Sequence, residues 1–518
     1  MKKFYALLLC AFLTISASSQ LNGILDETFA NGGIYTLDAG FVDVLHAVKI
    51  QDDGKIVTAG VALNANYEGE AKVIRLLSDG SPDTDFGTNG VVSLALNLES
   101  YGYDLLLKEN GQILVTGLSS IQPYQFVMAI TQLNADGTID STFGTNGSTI
   151  VNLGNGDEYA YGMTLQPDGK ILIVGNSLDA NFFNVPTVLR LTAEGDLDNT
   201  FGEDGVVFYP VTEVENELWC VALQSDGKIV VGGHYAPDLF DVDVLLARFN
   251  TDGTLDETFG ENGAVKDALN DAGFAECYDM VIDANDHIII TGYAASSLGN
   301  DAFVKKYDSD GAADFSFGTN GEVYSGIEAF DVANAMQMTA DGRILITGTA
   351  GDFFTDQTFA LWSFDADGSP SSDFGTNGAV FTNVGGETEE ATSIVVQDDA
   401  FILIAGKTRN TTNNFDFSVL RYQNGLTGVD DMDKKNTYSV YPNPIKSGDA
   451  ITITNLSGGV NITRMECVNK EGKLVFTRAI NSSNSAIQTT LNLPAGSYDL
   501  QLFDHANFLD SMKIIITE

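Results

Sequence analysis

One short motif recurs seven times along the chain at nearly constant spacing. It has the form Asp-x-x-Phe-Gly-x-x-Gly, and residues 256–263 are a representative copy. Successive copies are 57 or 58 residues apart, with the phenylalanine at Phe29, Phe86, Phe143, Phe201, Phe259, Phe317 and Phe374. So regular an interval indicates one supersecondary unit repeated along the chain.

Each repeat also contains four short strand patterns separated by Asp-Gly turns. In the first complete repeat the apolar and β-branched runs are 45–50, 55–60, 71–77 and 90–94. Period-two alternation and Asp-Gly turns are typical of β-hairpins. Four strands per unit, repeated seven times, predict an all-β chain built around a seven-bladed β-propeller with four strands per blade.

The order of the segments predicts how the ring closes. Residues 33–37 form a fourth-type strand with no first three strands before it, whereas the last repeat has three strands and no fourth. Pairing the N-terminal strand with the last three strands completes the final blade. It also removes a free sheet edge, which would otherwise favour aggregation.

Two motifs together resemble a known repeat. Asp-x-x-Phe-Gly-x-x-Gly and Asp-Gly-Lys-Ile-x-x-x-Gly, seen at residues 168–175, resemble the delta-sixty repeat of bacterial secreted proteins and, distantly, NHL-type propeller blades. The resemblance covers residues 22–423. Departures include Ala30 in place of the motif glycine and the turns at 285–287 and 399–401, which lack Gly-Lys. We expect modified turns in those two blades.

A second, smaller domain follows a charged linker at residues 424–436. Residues 437–518 contain short strand patterns, a Tyr-Pro-Asn-Pro opening at 441–444, a Glu-Gly-Lys turn at 471–473 and the element Leu-Pro-Ala-Gly-Ser-Tyr at 493–498. These features resemble the C-terminal (Por-type) sorting domain of the type IX secretion route. The resemblance implies a small β-sandwich that binds the secretion machinery, directs export and is normally removed afterwards.

Residues 1–20 have the anatomy of a secretory signal peptide. Lys2 and Lys3 precede an apolar run at 4–13 and small residues at 17–19. That run is too short to span a bilayer, and no later run approaches the length of a transmembrane segment. We therefore expect a secreted protein, extracellular or attached to the outer cell surface. Cys220, Cys277 and Cys467 are too scattered for a disulfide framework or a zinc site, which predicts buried thiols.

The charge of the chain excludes one class of partner. The formal net charge is −45, from 71 acidic and 26 basic residues. Binding to a phosphate backbone requires clusters of Lys and Arg, and the sequence has none, so nucleic acid is not expected as a partner. Cations, basic proteins and neutral glycans remain compatible with this charge.

The repeated motifs and the variable loops are predicted to lie on opposite faces of the ring. Turns between strands one and two and between strands three and four carry the repeated motifs. Their sameness indicates structural roles, with the phenylalanine filling a pocket between blades and the aspartate capping backbone N–H groups. A basic residue of the third strand, at Arg75, Arg190, Arg248 and Lys306, is predicted to pack its stem between sheets and pair with a local acid.

The other face is where ligand binding is expected, because binding residues concentrate on variable loops over a rigid scaffold. An acid lies near the start of every first strand, at Asp43, Glu99, Glu158, Glu217, Glu276, Asp331 and Glu389. These seven acids are predicted to ring the mouth of the central channel. One interpretation is that they gather a cation, calcium being the best guess, or the basic part of a ligand. The other is that each acid caps the start of its strand.

The function predicted from these features is non-enzymatic binding or adhesion, with an extracellular glycan or protein as ligand. The alternative is an extracellular enzyme acting on polysaccharide, a glycoside hydrolase or lyase with its site at the acidic channel mouth. No recognised catalytic motif is present in the sequence. Carboxylate pairs suitable for glycoside cleavage are abundant, although in so acidic a chain their abundance carries little information. No catalytic residue is therefore assigned.

Overall fold

The computed structural model divides the chain into two compact units, Met1–Leu426 and Thr427–Glu518. It describes residues 22–424 and 438–517 apart from gaps at 124, 155, 212–214, 239–240, 270–272, 297–298, 327–329, 353–356, 387, 398–399, 413, 442–444, 449, 456–461, 470–472, 483–485, 495 and 505–506. The predicted signal peptide and all but the first residue of the predicted linker lie outside the described residues.

The described strands of the first unit pair into seven antiparallel groups of four, here called blades. Blade 1 contains β2 (Val42–Ile50), β3 (Ile56–Leu63), β4 (Gly69–Leu76) and β5 (Val91–Leu94). Blade 2 contains β6 (Ser100–Leu107), β7 (Ile113–Gln122), β8 (Gln125–Leu133) and β9 (Ser148–Val151). Blade 3 contains β10 (Glu158–Leu165), β11 (Ile171–Leu178), β12 (Asn184–Leu191) and β13 (Val206–Phe208).

The remaining blades repeat this order. Blade 4 contains β14 (Glu215–Leu223), β15 (Ile229–Asp238), β16 (Asp241–Phe249) and β17 (Ala264–Asp267). Blade 5 contains β18 (Ala275–Ile282), β19 (Ile288–Ala295), β20 (Asn300–Tyr307) and β21 (Glu322–Tyr324). Blade 6 contains β22 (Phe330–Met338), β23 (Ile344–Gly351), β24 (Thr358–Phe364) and β25 (Ala379–Thr382). Blade 7 contains β26 (Glu389–Gln397), β27 (Phe401–Arg409), β28 (Phe415–Gln423) and the N-terminal β1 (Ile34–Leu37).

The two ends of the first unit close the ring as predicted. Strand β1 pairs antiparallel with β28, with Ile34 opposite Leu420 and Leu37 opposite Phe417. At the end of β28, the carbonyl of Gln423 accepts a hydrogen bond from the backbone N–H of Gly23 at 2.8 Å. The last blade is therefore completed by the start of the chain.

The first strands of successive blades are neighbours all the way round, including β26 and β2, so they form a closed ring and line its central channel. Each of these strands contains one extra residue opposite its partner, a β-bulge. The extra residue in each case has no partner in the pairing with the second strand of its blade. These bulged residues are His46, Tyr103, Tyr161, Trp219, Tyr278, Asn334 and Thr392.

The motif phenylalanine joins each blade to the next. All seven are at most 1% exposed. A Cβ added to Gly137 would lie 2.8 Å from the ring of Phe86, and the same relation links Gly253 to Phe201 and Gly311 to Phe259. These rings therefore pack against the turn that follows the third strand of the next blade, where only glycine leaves room. The predicted pocket between blades is confirmed.

The repeated arginine fastens the same junction. Arg248 is 2% exposed, its Nε lies 2.8 Å from Oδ2 of Asp256, and its guanidinium stacks 4.8 Å from the centroid of Phe259. Its Nη1 also donates to the carbonyl of Ser309 in the next blade, at 2.6 Å. Equivalent contacts are made by Arg75, Arg190 and Arg421. The prediction of a packed stem and a local acid is confirmed.

The departures from the motif keep the backbone path of the standard turn. Asp286 adopts φ 64°, the left-handed conformation that Gly54 has at the matching position with φ 80°. Ala30 likewise adopts φ 44°, where the other copies have glycine near 50°. We expected two modified turns. The turn at 286 differs from the others in residue type but keeps their backbone conformation. The other turn includes Asp399, which lies outside the described residues.

The second unit forms two sheets. One has the order β29 (Tyr438–Tyr441), β31 (Ala450–Asn455), β34 (Ala486–Thr490). The other has the order β30 (Ile445–Lys446), β36 (Asn507–Thr517), β35 (Gly496–Asp504), β32 (Ile462–Asn469), β33 (Leu474–Ser482). Ile453 from the first sheet and Met465 and Leu500 from the second belong to one buried apolar core. The described part of the chain contains no helix that could span a membrane.

Cys220, Cys277 and Cys467, the cysteines among the described residues, are buried and unbridged, as predicted. Cys220 and Cys277 lie on neighbouring first strands with their sulfur atoms 3.9 Å apart. Cys467 belongs to the core of the second unit.

Candidate functional site

The structure separates the seven predicted acids into two sets. Asp43, Glu158, Asp331 and Glu389 occupy the same register position, three residues before the bulged residue, and each is 0% exposed. The other blades have Ser100, Asn216 and Ala275 at this position. These four acids are therefore enclosed between blades and do not line the open mouth, which corrects the prediction of one continuous ring.

The buried set holds the loop that enters each first strand. Asp43 accepts hydrogen bonds from the N–H groups of Ala39 and Gly40, at 2.6 and 3.1 Å. Glu389 accepts from the N–H of Val384 at 2.6 Å, and Glu158 from that of Leu153 at 3.2 Å. These acids therefore cap backbone N–H groups just before the first strand, as one of the two interpretations expected, but they do so while buried and not in solvent.

Burial shifts the titration of these groups. It raises the pKa of Glu158 to about 7 and that of Asp43 to about 6, although the backbone N–H groups oppose the shift in both cases. Burial also raises the pKa of the Glu389 carboxyl. These carboxyl groups are therefore easier to protonate than ordinary surface acids.

The second set is half-buried and lies one residue away, so it points to the opposite side of the strand. Glu99 accepts from the hydroxyl of Tyr101 at 3.0 Å, and Glu276 from that of Tyr293 at 3.0 Å. Glu217 accepts from Nδ2 of Asn184 at 2.7 Å. This set is hydrogen-bonded within the propeller, and ligand or cation binding by it stays a prediction.

An aromatic chain that the sequence analysis did not identify follows the bulged positions around the channel. Ring centroids are 5.1 Å apart for His46 and Tyr103, 5.4 Å for Tyr103 and Tyr161, 4.1 Å for Tyr161 and Trp219 and 5.7 Å for Trp219 and Tyr278. Burial raises the pKa of Tyr103 to about 12 and lowers that of His46 to about 4. The channel wall is therefore uncharged along this line at neutral pH.

Two carboxylates form hydrogen bonds between neighbouring first strands. Asp104 accepts from the N–H of Met163 in the next blade at 2.9 Å, and Asp279 from that of Met336 at 2.8 Å. Burial raises the pKa of both, that of Asp279 to about 6. Because these acids satisfy backbone donors, their role is in the scaffold.

The loops between strands two and three carry exposed aromatic rings. Tyr67 in blade 1 is 61% exposed and Phe182 in blade 3 is 77% exposed. Both adopt the left-handed conformation, with φ 64° and 67°. The two loops share their hydrogen bonds: Asn64 Oδ1 accepts from the N–H of Asn66, as Asp179 Oδ1 does from that of Asn181.

Other aromatic residues on or beside the loops between strands two and three are less exposed or lie outside the described residues. Tyr235 is 9% exposed and donates its hydroxyl to Asp243 at 2.9 Å, and Phe126 packs edge-on against Tyr101. Tyr124, Phe240, Phe353 and Phe354 lie outside the described residues.

A cluster of three carboxylates lies where the ring closes. One oxygen from each of Asp38, Asp43 and Asp416 lies within 4.8 Å of the other two. At that distance two unit charges repel by about 0.9 kcal/mol even in the dielectric of water, about twice the value at 10 Å. Burial, followed by the charge of Asp38, raises the pKa of the Asp416 carboxyl.

Comparison with family models gives matches in both units. Segments 51–86, 108–143, 166–201 and 224–259 match a domain of unknown function, DUF5122, described as a β-propeller, and residues 439–517 match the secretion system C-terminal sorting domain. The chain thus carries DUF5122 β-propeller repeats and a C-terminal sorting domain. Each matched repeat ends on a motif phenylalanine. The sorting domain marks the DUF5122 propeller as an exported protein, secreted or attached to the outer cell surface.

Solved structures similar to this chain are remote. They include a fungal alcohol oxidase of the AA5 family in complex with copper, with 13% identity, TM-score 0.42 and coverage of 95% of this chain and 100% of that one. A second is a PL25 ulvan lyase, with 12% identity, TM-score 0.40 and coverage of 76% and 96%. A third is the polysaccharide lyase Uly1, with 10% identity, TM-score 0.43 and coverage of 78% and 96%. Since these TM-scores are below 0.5, the similarities say nothing about what the propeller binds or catalyses. No curated protein sequence matches the chain.

Proposed function

We propose that the propeller is a non-enzymatic binding module of an exported protein, and that it takes an extracellular glycan or protein ligand on the face bearing Tyr67 and Phe182. The observation that carries this proposal is the pair of exposed aromatic rings held in the left-handed conformation at matching loop tips. Export itself follows from the sorting domain.

Tyr67 and Phe182 have a backbone conformation in which large aromatic residues are seldom found. The left-handed region costs an L-residue about 1–2 kcal/mol, and Gly, Asn and Asp are the residues usually found there. The matching loop of blade 7 has Asn413 at this place in the sequence. Strain of this kind concentrates at functional sites. An exposed aromatic ring that also pays this cost supports a role in binding.

The chemistry of the rings favours ligand contact. Tyr and Phe provide large apolar contact area with few rotatable bonds, and tyrosine adds a hydroxyl. Tyr67 packs edge-on against Phe41, with ring centroids 5.5 Å apart. A flat apolar ligand face, such as that of a sugar, and an apolar protein side chain are both suitable partners for such a ring.

One observation favours the alternative, an enzyme acting on polysaccharide. His234 Nδ1 lies 3.9 Å from Oε2 of Glu276, and the hydroxyl of Tyr293 donates to the same carboxylate at 3.0 Å. A carboxylate, an imidazole and a phenol are groups that general acid–base catalysis uses. Such an enzyme would lose turnover when Glu276 is replaced by Gln, whereas a binding module would show no turnover to lose.

The experiment compares ring removal on the two faces. The chain from residue 22 is applied to glycan and protein-ligand arrays as wild type and as the double variant Tyr67→Asn, Phe182→Asn. Asn suits the left-handed conformation, so the fold should be kept while both rings are lost. We expect binding to fall at least tenfold with no loss of thermal stability.

The matched control is Phe315→Thr. Phe315 is 75% exposed in a turn between strands three and four, on the opposite face, and Thr84 stands at the equivalent place in blade 1. This variant should bind as wild type does. Equal binding by wild type and the double variant would contradict the proposal, as would conversion of any arrayed glycan that Glu276→Gln abolishes.

A further inference from the structure

The acidic cluster at the ring closure joins parts of the chain that are far apart in sequence. Asp38 directly follows β1, Asp43 belongs to β2 and Asp416 belongs to β28. Strand β28 pairs antiparallel with β1 on one side, and its first residue is in parallel register with Val42 of β2. The three carboxylates therefore meet at the seam between the first and last blades.

A second observation concerns Asp43 alone. Its side chain is 0% exposed. Oδ2 accepts the N–H groups of Ala39 and Gly40, whereas Oδ1 is buried without a hydrogen-bond partner. A buried carboxylate oxygen that lacks a partner is costly unless something compensates its charge.

The matching acids in other blades show what is particular to this seam. Glu158 and Glu389 occupy the register position of Asp43 and also have one buried oxygen without a hydrogen bond. Among the described residues, a group of three carboxylates close enough to share one ion occurs only with Asp43. The seam thus combines a buried, uncompensated oxygen with two additional acids.

From this geometry we infer that Asp38, Asp43 and Asp416 bind a calcium ion that fastens the closure of the propeller ring. The site lies at the seam between blades, and it does not depend on the ligand proposed for the aromatic loops. Neither strand end could separate from the other without losing a ligand of the ion.

The donor set favours calcium over other metals. All three donors are carboxylate oxygens, which suit hard cations, whereas zinc and copper sites use nitrogen and sulfur. Two oxygens bound to one calcium ion at 2.3–2.6 Å are at most about 5 Å apart, so a spread within 4.8 Å fits a single ion. Magnesium requires a nearly regular octahedron of tighter radius, for which donors on three separate elements, one of them exposed, are less suited.

The test uses calcium alone with the chain from residue 22. Wild type, Asp38→Asn and Asp416→Asn are melted in chelator and at increasing calcium concentration, and binding is measured by calorimetry. Because an ion that binds only the folded state raises its stability, we expect the melting temperature of wild type to rise with calcium and to saturate. Calorimetry should show an ion per chain that either substitution weakens at least tenfold.

Glu158→Gln is the matched control, since it changes an acid of the same register position away from the cluster. It should retain the full calcium-dependent shift. The inference is overturned if wild type shows no saturable calcium binding, or if Asp38→Asn and Asp416→Asn keep the wild-type shift. A larger shift with magnesium than with calcium at equal concentration would overturn the assignment of the metal. Unchanged glycan or protein binding in the two Asp variants would leave the proposed function intact in either case.

Discussion

Ala30 occupies a motif position whose backbone conformation favours glycine. Its φ of 44° lies in the left-handed region, and its N–H donates to the carbonyl of Asp79 at 2.7 Å, so the conformation is fixed by the next blade. Glycine avoids the cost of about 1–2 kcal/mol in this region, at an entropic cost of about 0.5–1 kcal/mol. We expect Ala30→Gly to raise the free energy of unfolding by about 0.5–1 kcal/mol in urea titrations.

Gly87→Ala is the opposite change at the equivalent place in the next repeat. A Cβ on Gly87 would lie 2.3 Å from the carbonyl oxygen of Val91, so this variant should be less stable than wild type. If Ala30→Gly were no more stable than wild type, the left-handed conformation at residue 30 would not be a source of strain.

Arg248 is the residue whose removal should test the junction between blades most directly. It pairs with Asp256, contacts Ser309 of the following blade and stacks on Phe259. Breaking a buried pair by removing one partner costs about 3–5 kcal/mol, and Lys228, 3.1 Å from Asp256, remains as a second cation. We therefore expect Arg248→Met to lower the free energy of unfolding by about 3 kcal/mol, the smaller end of that range.

Asp310→Asn serves as the control for that variant, because Asp310 is exposed and also pairs with Arg248, at 3.2 Å. Exposed pairs contribute little, so its unfolding curve should overlay that of wild type. Equal losses in the two variants would contradict the role given to the buried pair.

At the scale of a strand, the buried acids should make stability depend on pH in an unusual direction. Burial raises the pKa of Glu158 from 4.5 to about 7. Between these values the folded state binds more protons than the unfolded state, so the free energy of unfolding falls as pH rises and levels off above pH 7. Since each pKa unit corresponds to about 1.4 kcal/mol, Glu158→Gln should reduce the difference in stability between pH 5 and pH 8 by on the order of 1 kcal/mol or more.

Unfolding in urea at several pH values checks this expectation, and Glu99→Gln is the comparison. Glu99 lies one residue before the register position of Glu158 and is half-buried beside Tyr101. A pH dependence that Glu158→Gln leaves unaltered would show that this carboxyl is ionised in the folded protein from low pH.

The strands and turns were largely predictable, because period-two patterns and Asp-Gly turns act over a few residues. The functional side of each strand was not. Asp43 and Glu217 were grouped together although they lie one residue apart in register and face opposite ways, because the period-two pattern does not show which side of a strand the fold encloses. Each first strand also contains a bulge after these positions, which the period-two pattern does not indicate. The spacing of His46, Tyr103, Tyr161, Trp219 and Tyr278, each 57 to 59 residues from the next, was the available signal.

At the scale of the whole molecule, repetition predicts the architecture, whereas the group of three carboxylates at the seam is not repeated among the described residues. Asp38 and Asp416 are close only because the ring closes, and 378 residues separate them in sequence. Arg421 and Asp26 also pair across the seam, with Nε 2.8 Å from Oδ2, but this pair is the local copy of the arginine contact that other blades repeat. A site built from the two ends of a ring is therefore visible in the structure alone.

The closure itself is testable by removing the strand that provides it. Deleting residues 22–37 leaves β28 with an unpaired edge and leaves Arg421, which is 6% exposed, without Asp26. An open edge and a buried unpaired charge both destabilise. We expect the shortened chain to lose its cooperative melting transition and to elute as aggregate in size-exclusion chromatography.

A peptide of residues 22–40 added in trans should restore a monomeric peak, because β1 supplies backbone pairing and does not need to be covalently attached. The same peptide with Asp26→Asn should restore less, since it lacks the charge that Arg421 requires. A second deletion, of Thr427–Glu518, removes the other compact unit and should leave the propeller transition in place. If the chain lacking 22–37 melted like wild type, closure by β1 would contribute nothing to the stability of the ring.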